Sequence, residues 1–131
     1  MQIREFMTKH VRTVHAEEST EVAKWALKFW SHRHLPVVDA DRHVVGMITP
    51  SDLLEAIGER DGMAPISVAE AMRRPVHTIA EDAAVERALP RMREAGIHAL
   101  PVVDAADRLV GIVTDADVLA AMAFERPRGI D

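Results

Sequence analysis

Leu-Pro-Val-Val-Asp-Ala occupies residues 35–40 and returns unchanged at residues 100–105, an offset of 65 positions. The offset holds without a gap when residues 5–57 are aligned with residues 70–122, and 18 of the 53 aligned positions are identical. Roughly three identities are expected by chance for chains of ordinary composition. The chain therefore contains two copies of one unit, and any fold assigned to it has to explain this repetition.

The composition is that of a globular protein without disulfide bonds. The chain has 131 residues, of which 48% are apolar and 28% are charged, and it contains no cysteine. The net charge of −5, without a block of Lys or Arg, argues against a nucleic-acid partner. No stretch approaches the roughly 18 apolar residues of a membrane span, and the first residues lack the apolar segment of a signal peptide. We therefore expect a cytoplasmic protein that contacts neither nucleic acid nor membrane.

Each copy predicts the element order β-α-β-β-α. The central strand of each copy is an unbroken apolar run rich in β-branched residues, which is typical of a strand buried on both faces. A single copy is too small to bury its own sheet, so we expect an α/β fold in which two pseudo-symmetric repeats pack through their sheets. The predicted elements are residues 12–14, 20–33, 35–39, 44–49 and 50–59 in the first copy, and 77–79, 83–95, 100–104, 109–114 and 115–123 in the second.

The repetition predicts two domains joined by a short connector. The first repeat spans residues 1–60 and the second spans residues 67–124, with residues 58–66 as the connector. Ser-Val-Ala-Glu at residues 67–70 has capping-box spacing, which predicts one short helix at the start of the second repeat. The tail at residues 125–131 is expected to fray, because chain ends without anchoring contacts rarely hold a fixed structure.

Two motifs in each copy resemble those of a known family. Leu-Pro-Val-Val-Asp is followed by Gly-Met-Ile-Thr-Pro-Ser-Asp at residues 46–52 and, in the second copy, by Gly-Ile-Val-Thr-Asp-Ala-Asp at residues 111–117. Both motifs, in this order and in two copies, resemble a tandem pair of cystathionine β-synthase (CBS) domains, or Bateman module. The resemblance covers residues 11–57 and 76–122.

The resemblance implies a regulatory, ligand-sensing module that is not an enzyme. It implies clefts between the two repeats that bind an adenosine-containing ligand, such as AMP, ADP, ATP or S-adenosylmethionine, with no obligatory cofactor. It also implies a homodimer that passes the level of the ligand to an effector protein. The alternative function is a structural interaction module without a nucleotide, which works through an apolar helix face at Trp25.

Thr49 and Asp52, like Thr114 and Asp117, stand three residues apart where a strand turns into a helix. The spacing fits an ordinary capping box, which stabilises the helix and binds nothing. It also fits a ligand site, because a helix N-terminus attracts phosphate and a carboxylate can accept hydrogen bonds from ribose hydroxyls. The resemblance favours the ligand site, with Asp52 and Asp117 on ribose and with Thr49, Ser51 and Thr114 near phosphate or ribose.

Basic side chains precede each Leu-Pro pair, and the resemblance places them near phosphate. They are Arg33 and His34 in the first repeat and His98 in the second. An arginine can hold a phosphate with a planar fork, so the Asp52 cleft looks better equipped for AMP or ADP. Asp115 adds a negative charge to the second cleft, which favours a less charged ligand there. Solvated cations at helix ends explain the basic residues equally well.

The expected walls of the clefts are small or β-branched residues. By the resemblance, the adenine or ribose packs on Ala23, Ala88, Val37 and Val102, near the extended segments that carry Thr13 and Thr78. Plain packing of a helix on a sheet explains the alanines as well.

Neither a metal site nor a catalytic group is predicted. His32 and His34 are the only close histidine pair, and side chains two residues apart on a helix point in different directions. The chain has no cysteine, and its serines lack the strand-turn-helix context of a nucleophile elbow.

The first long helices of the two repeats differ in their apolar faces. The first repeat carries an additional apolar face, formed by Val22, Trp25 and Phe29, where the second has Arg87, Pro90 and Glu94. We predict that this face lies in a homodimer interface, because soluble monomers rarely expose such patches. An enlarged intramolecular core is the alternative. Pro90 lacks an N–H to donate to Glu86, so we also expect a kink in the helix at residues 83–95.

Overall fold

The strands form two three-stranded sheets of the same plan in the computed structural model, which describes residues 1–29, 34–58, 66–74 and 76–123. In each sheet a two-residue strand pairs in parallel with a central strand, and the third strand lies on the other side. The first sheet consists of β1 Val14–His15, β2 Leu35–Val38 and β3 Val44–Ile48, and the second of β4 Ile79–Ala80, β5 Ala99–Val103 and β6 Leu109–Thr114.

Five α-helices and two short 3₁₀ helices complete the described part of the chain. The α-helices are α1 Thr20–Phe29, α2 Pro50–Gly58, α3 Val68–Ala71, α4 Ala88–Ala95 and α5 Asp115–Ala123, and the 3₁₀ helices are Ile3–Glu5 and Val85–Arg87. The predicted order β-α-β-β-α is confirmed in both repeats. The short helix beginning after Ser67 is also confirmed. Most of the predicted connector and the predicted tail lie outside the described residues.

The central strands are buried on both faces, as their apolar runs predict. Every residue of β2 and of β5 is buried. Val37 in β2 lies opposite Val14 of the parallel neighbour and Gly46 of the antiparallel neighbour. The two sheets therefore have separate apolar cores, each closed by helices of its own unit.

The prediction that Pro90 lies in the interior of a helix over residues 83–95 is wrong. The helix begins at Ala88 instead, and Pro90 lies in its first turn, where an N–H would have no partner within the helix. The 3₁₀ turn Val85–Arg87 leads into it, and the left-handed Gly96 ends it. The α-helix therefore starts close to Pro90, and it buries Ala88 and Met92 in the core. The bend expected at Pro90 stays a prediction.

The leading segment of each repeat packs on the sheet of the other repeat. One compact unit contains Met1–Val11, His77–Ala106 and Val110–Asp131, and the other contains Arg12–Val76 and Asp107–Leu109. The 1–60 and 67–124 boundaries follow the sequence repeats and stay a prediction.

Backbone hydrogen bonds fix the two exchanged segments in the same way. Thr8 and Ile112 exchange two backbone hydrogen bonds at 2.8 and 3.0 Å. Arg73 and Met47 occupy the aligned positions and exchange bonds of 2.7 and 3.4 Å. Each segment therefore adds one bridge to the free edge of β6 or β3.

Candidate ligand site

The turn from β3 into α2 forms a complete capping box. The backbone N–H of Thr49 donates to Oδ2 of Asp52 at 2.9 Å, and the Thr49 hydroxyl donates to the same oxygen at 2.9 Å. In return, the backbone N–H of Asp52 donates to Oγ1 of Thr49 at 3.3 Å. The capping role that the spacing predicts is therefore confirmed for this pair.

Arg73 holds the other oxygen of Asp52. Its Nε donates to Oδ1 at 2.8 Å, and the Asp52 side chain is only 6% exposed whereas that of Arg73 is 60% exposed. The hydrogen bond and the charge of Asp52 raise the pKa of Arg73 above its ordinary value. Since the Arg73 backbone is fixed beside Met47 at the edge of β3, the guanidinium is held against the start of α2. No sequence motif indicates this contact.

The turn from β6 into α5 repeats the capping box without the arginine. The backbone N–H of Thr114 donates to Oδ2 of Asp117 at 2.9 Å, and the backbone N–H of Asp117 donates to Oγ1 of Thr114 at 3.2 Å. The position aligned with Arg73 is Thr8. Within the described part of the chain, no basic side chain bonds to Asp117, which is partly exposed. The two aspartates thus have the same cap and different further partners.

The basic residues ahead of the Leu-Pro pairs differ in how far they can be placed. Arg33 lies outside the described residues, and His34 is partly buried just before β2. His98 is exposed, and its Nδ1 lies 3.0 Å from Oδ2 of Asp115 at the start of α5. The structure therefore brings His98 together with the extra carboxylate of the second repeat.

The predicted wall residues lie mainly inside the cores. Ala23 and Val37 are fully buried in one unit, and Ala88 and Val102 are fully buried in the other. Their environment is the helix-to-sheet packing that the sequence also allowed. Thr13 and Thr78, just before β1 and β4, are partly buried, and Ser51 is exposed in the first turn of α2. Contact between any of these residues and a ligand stays a prediction.

A pocket of about 310 Å³ lies beside the Asp52–Arg73 pair. It is lined by Asp52, Glu55, Ala56, Glu70, Ala71, Met72 and Arg73, all in one unit. Three of these side chains carry a negative charge and one carries a positive charge. An anion in this pocket would therefore depend on Arg73 for attraction.

One further cluster brings metal-ligating atoms together among the described residues. Single atoms of Asp39, Asp41 and His43 lie within 4.8 Å of one another in the turn between β2 and β3. Asp39 accepts hydrogen bonds from the backbone N–H groups of His43 and Asp41, and the bond from His43 contributes most to lowering the pKa of its carboxyl group. These bonds close the turn, and the prediction of no metal site remains untested.

The additional apolar face of α1 is turned away from the core. Val22 is 39% exposed and Trp25 is 52% exposed, and the side chain of Phe29 lies outside the described ones. The alternative of an enlarged core is therefore wrong for Val22 and Trp25. Two further exposed leucines, Leu54 on α2 and Leu119 on α5, occupy aligned positions in the repeats. These leucines were not among the predicted site residues, although an identical residue at an aligned position is a signal that the sequence offers.

The comparisons with known proteins agree with this architecture. A family model for the CBS domain matches twice, at residues 3–59 and 68–124. The chain therefore belongs to the CBS domain family. A CBS domain-containing protein of Dictyostelium discoideum is 31% identical over 127 residues, covering 89% of this chain and 88% of its own length.

Two solved structures with bound ligands are similar over nearly the whole chain. The CBS domain pair of protein MJ0100, in complex with 5′-methylthioadenosine and S-adenosyl-L-methionine, has a TM-score of 0.82 at 30% identity and covers 96% of this chain and 98% of its own. CBSX2 of Arabidopsis thaliana in complex with AMP has a TM-score of 0.79 at 27% identity, with 95% and 98% covered.

Some curated relatives are named as enzymes, but the chain spans only a fraction of their length. It covers 24% of a homoserine O-acetyltransferase from Methanococcus vannielii, at 27% identity. It covers 22% of an L-aspartate semialdehyde sulfurtransferase from Methanocaldococcus jannaschii, at 34% identity. Each match covers 88% of this chain. The likeness is therefore confined to a minor part of those proteins.

Among the described helices, none combines the length and the apolar character that a membrane span requires.

Proposed function

We propose that this chain is a regulatory module, without catalytic activity or an obligatory cofactor, that binds an adenosine-containing ligand. The observation that carries the proposal is the turn Gly-x-x-Thr-x-x-Asp at the start of both α2 and α5, in a chain similar to CBS pairs whose structures hold S-adenosylmethionine, 5′-methylthioadenosine and AMP. A carboxylate at a helix start suits a ribose, because it can accept hydrogen bonds from the ribose hydroxyls.

The residues of the proposed sites follow the aligned motifs. Asp117 would accept hydrogen bonds from ribose, and Asp52, at the aligned position, would do so only where Arg73 leaves it. Thr114, Thr49 and Ser51 would lie near the ribose or the phosphate. Arg33, His34 and His98 would face the phosphate, and Thr13 and Thr78 would line the adenine. Ala23, Ala88, Val37 and Val102 would support the base from the core side, where their small size lets it approach.

A ligand-titrated thermal melt tests the proposal directly. A ligand that binds only the native state at 100 times its Kd adds about 2.7 kcal/mol of stability, which corresponds to several degrees in Tm for a chain of this length. AMP, ADP, ATP, S-adenosylmethionine and NADH form the panel, and GMP is the control for the base. We expect at least one adenosine compound to raise Tm in a dose-dependent way while GMP does not.

The melt also separates the proposal from its rival. A structural module without a nucleotide predicts an unchanged Tm for every adenosine compound up to millimolar concentration. That result would contradict the proposed function and leave the exposed α1 face as the working surface.

We propose in addition that two copies of the chain associate through the apolar face of α1, and that the pair signals to an effector protein. Trp25 and Val22 are exposed here, whereas the aligned positions hold Pro90 in α4 and Arg87 in the 3₁₀ turn before it. A second copy would cover this face in a two-fold dimer, so each substitution acts twice.

Trp25→Glu tests the dimer, because the interface would have to desolvate the new charge. We expect light scattering to report a dimer for the wild type and a folded monomer for the variant. Lys24→Ala, an equal change of net charge on the same helix, is the control and should remain dimeric. A wild type that stays monomeric at high concentration would contradict the dimer.

A further inference from the structure

We propose that Arg73 blocks the carboxylate of Asp52, and we call this ion pair the lock. The two aspartates of the repeats are then unequal. The ribose of a neutral adenosine ligand binds at Asp117 alone. The inference rests on the proposed function and assigns its ligand to one of the two sites. The carrying observation is the bond from Arg73 Nε to Oδ1 of Asp52 at 2.8 Å, in a carboxylate that is only 6% exposed.

The carboxylate of Asp52 is nearly closed to a ribose, since its side chain is only 6% exposed. Its Oδ2 accepts two hydrogen bonds from Thr49, and its Oδ1 lies under the guanidinium of Arg73. Bidentate binding of ribose hydroxyls would require Arg73 to leave, and a charge-assisted bond of this kind is stronger than a hydroxyl bond to the same oxygen. A neutral ligand has no negatively charged group that could replace Asp52 as the partner of Arg73.

The backbone of Arg73 is fixed where the lock needs it. Its N–H and C=O pair with Met47 at the edge of β3, so the side chain starts at a defined point next to α2. The guanidinium is 60% exposed, and the Glu55 and Glu70 carboxylates line the same pocket. These charges keep a cation in the pocket and oppose an incoming anion.

Thr8 occupies the aligned position in the unit that carries Asp117, and that carboxylate is partly exposed. Its backbone pairs with Ile112 just as Arg73 pairs with Met47. A threonine side chain is short and uncharged, so it cannot replace a guanidinium on the aspartate. The same backbone geometry therefore carries a lock in one unit and none in the other.

Exchanging the two residues tests the lock, with adenosine as the probe because it carries no phosphate. Calorimetric titration should give one site per chain for the wild type. Arg73→Thr should open the Asp52 site and give two sites, with the affinity of the opened site raised roughly tenfold or more. Thr8→Arg should lock Asp117 and reduce binding by roughly tenfold or more. Arg74→Thr, an equal change of charge one residue on, is the control and should keep one site.

The outcomes distinguish the lock from the function on which it rests. Because loss of the ion pair could unfold Arg73→Thr, circular dichroism checks each variant, and Thr8→Arg supplies an independent arm that adds a contact. Equal stoichiometry and affinity in the wild type and both exchanged variants would overturn the lock alone. Absence of adenosine, AMP and S-adenosylmethionine binding in all four proteins would refute the proposed function and the inference with it.

Discussion

Asp52 and Asp117 occupy the same place in two copies of one unit, and the structure gives them different surroundings. Both accept a backbone N–H at the start of a helix, at 2.9 Å in each case. Asp52 is then closed by Arg73, whereas the aligned Thr8 leaves Asp117 partly exposed. The shared motif Gly-x-x-Thr-x-x-Asp therefore caps a helix in both repeats, and only the second repeat leaves its aspartate partly exposed.

The difference arises from the residue that each leading segment places at the aligned position. Arg73 belongs to the leading segment of the second repeat and pairs with the sheet that carries Asp52. Thr8 belongs to the leading segment of the first repeat and pairs with the sheet that carries Asp117. A single substitution in either segment therefore changes the surroundings of the aspartate in that unit, while the residues of the motif stay the same.

The largest expected difference between the two regions is in stability. Asp52→Ala removes a helix cap and the charge-assisted bond from Arg73, a combined loss of about 2–3 kcal/mol in the free energy of unfolding, since the exposed arginine can be solvated afterwards. Asp117→Ala removes only the cap and should cost about 1 kcal/mol. Urea unfolding measures both values. Equal losses would show that Arg73 contributes nothing to stability at Asp52.

The glycines of the two motifs differ in the atoms that surround them. A Cβ at Gly111 would lie 2.9 Å from the backbone oxygen of Thr8, whereas the three nearest atoms at Gly46 all belong to the Met72 side chain. A methionine can change rotamer, but the backbone of Thr8 is fixed by its bridge to β6. We expect Gly111→Ala to cost about 2–3 kcal/mol and Gly46→Ala about 1 kcal/mol. A larger loss at Gly46 in urea unfolding would contradict this order.

The smallest expected effect concerns the charge of the second site. Asp115 lies 3.0 Å from His98 at the start of α5, and its charge opposes a phosphate bound nearby. Asp115→Asn should strengthen AMP binding about fivefold, because two charges some 4 Å apart in water interact by about 1 kcal/mol. The same substitution should leave adenosine binding unchanged. Asp82→Asn, an equal charge change at another exposed position, is the control. A parallel gain for adenosine would mean that Asp115 acts through folding.

The repeats made most of the architecture predictable. The aligned apolar runs indicated the buried strands β2 and β5, and the spacing of Thr49 and Asp52 indicated the cap that the structure contains. The strand β1 begins at Val14, two residues after the predicted start at residue 12, because a two-residue strand carries little periodic signal. The start of α4 was predicted too early, at residue 83. A proline in the first turn of a helix cannot be told from one in the interior until the start of the helix is known.

The contact between Arg73 and Asp52 could not be predicted from the sequence. Arg73 lies 21 residues from Asp52 and outside every motif, so neither helical nor strand spacing relates the two. The offset of 65 aligns each leading segment with its twin and does not indicate which sheet the segment joins. The aligned residues Met7 and Met72 are both methionine, so they do not indicate which segment joins which sheet.

The binding of ribose by Asp117 is tested most directly by a thermodynamic cycle between protein and ligand. The wild type and Asp117→Ala are each titrated with adenosine and with 2′,3′-dideoxyadenosine, which lacks both ribose hydroxyls. Loss of the hydroxyls should weaken binding to the wild type by roughly tenfold or more and should make little further difference in Asp117→Ala, because the two changes remove one interaction. Circular dichroism confirms that the variant is folded at the titration temperature. Additive losses, or equal affinity of the wild type for the two nucleosides, would contradict the account.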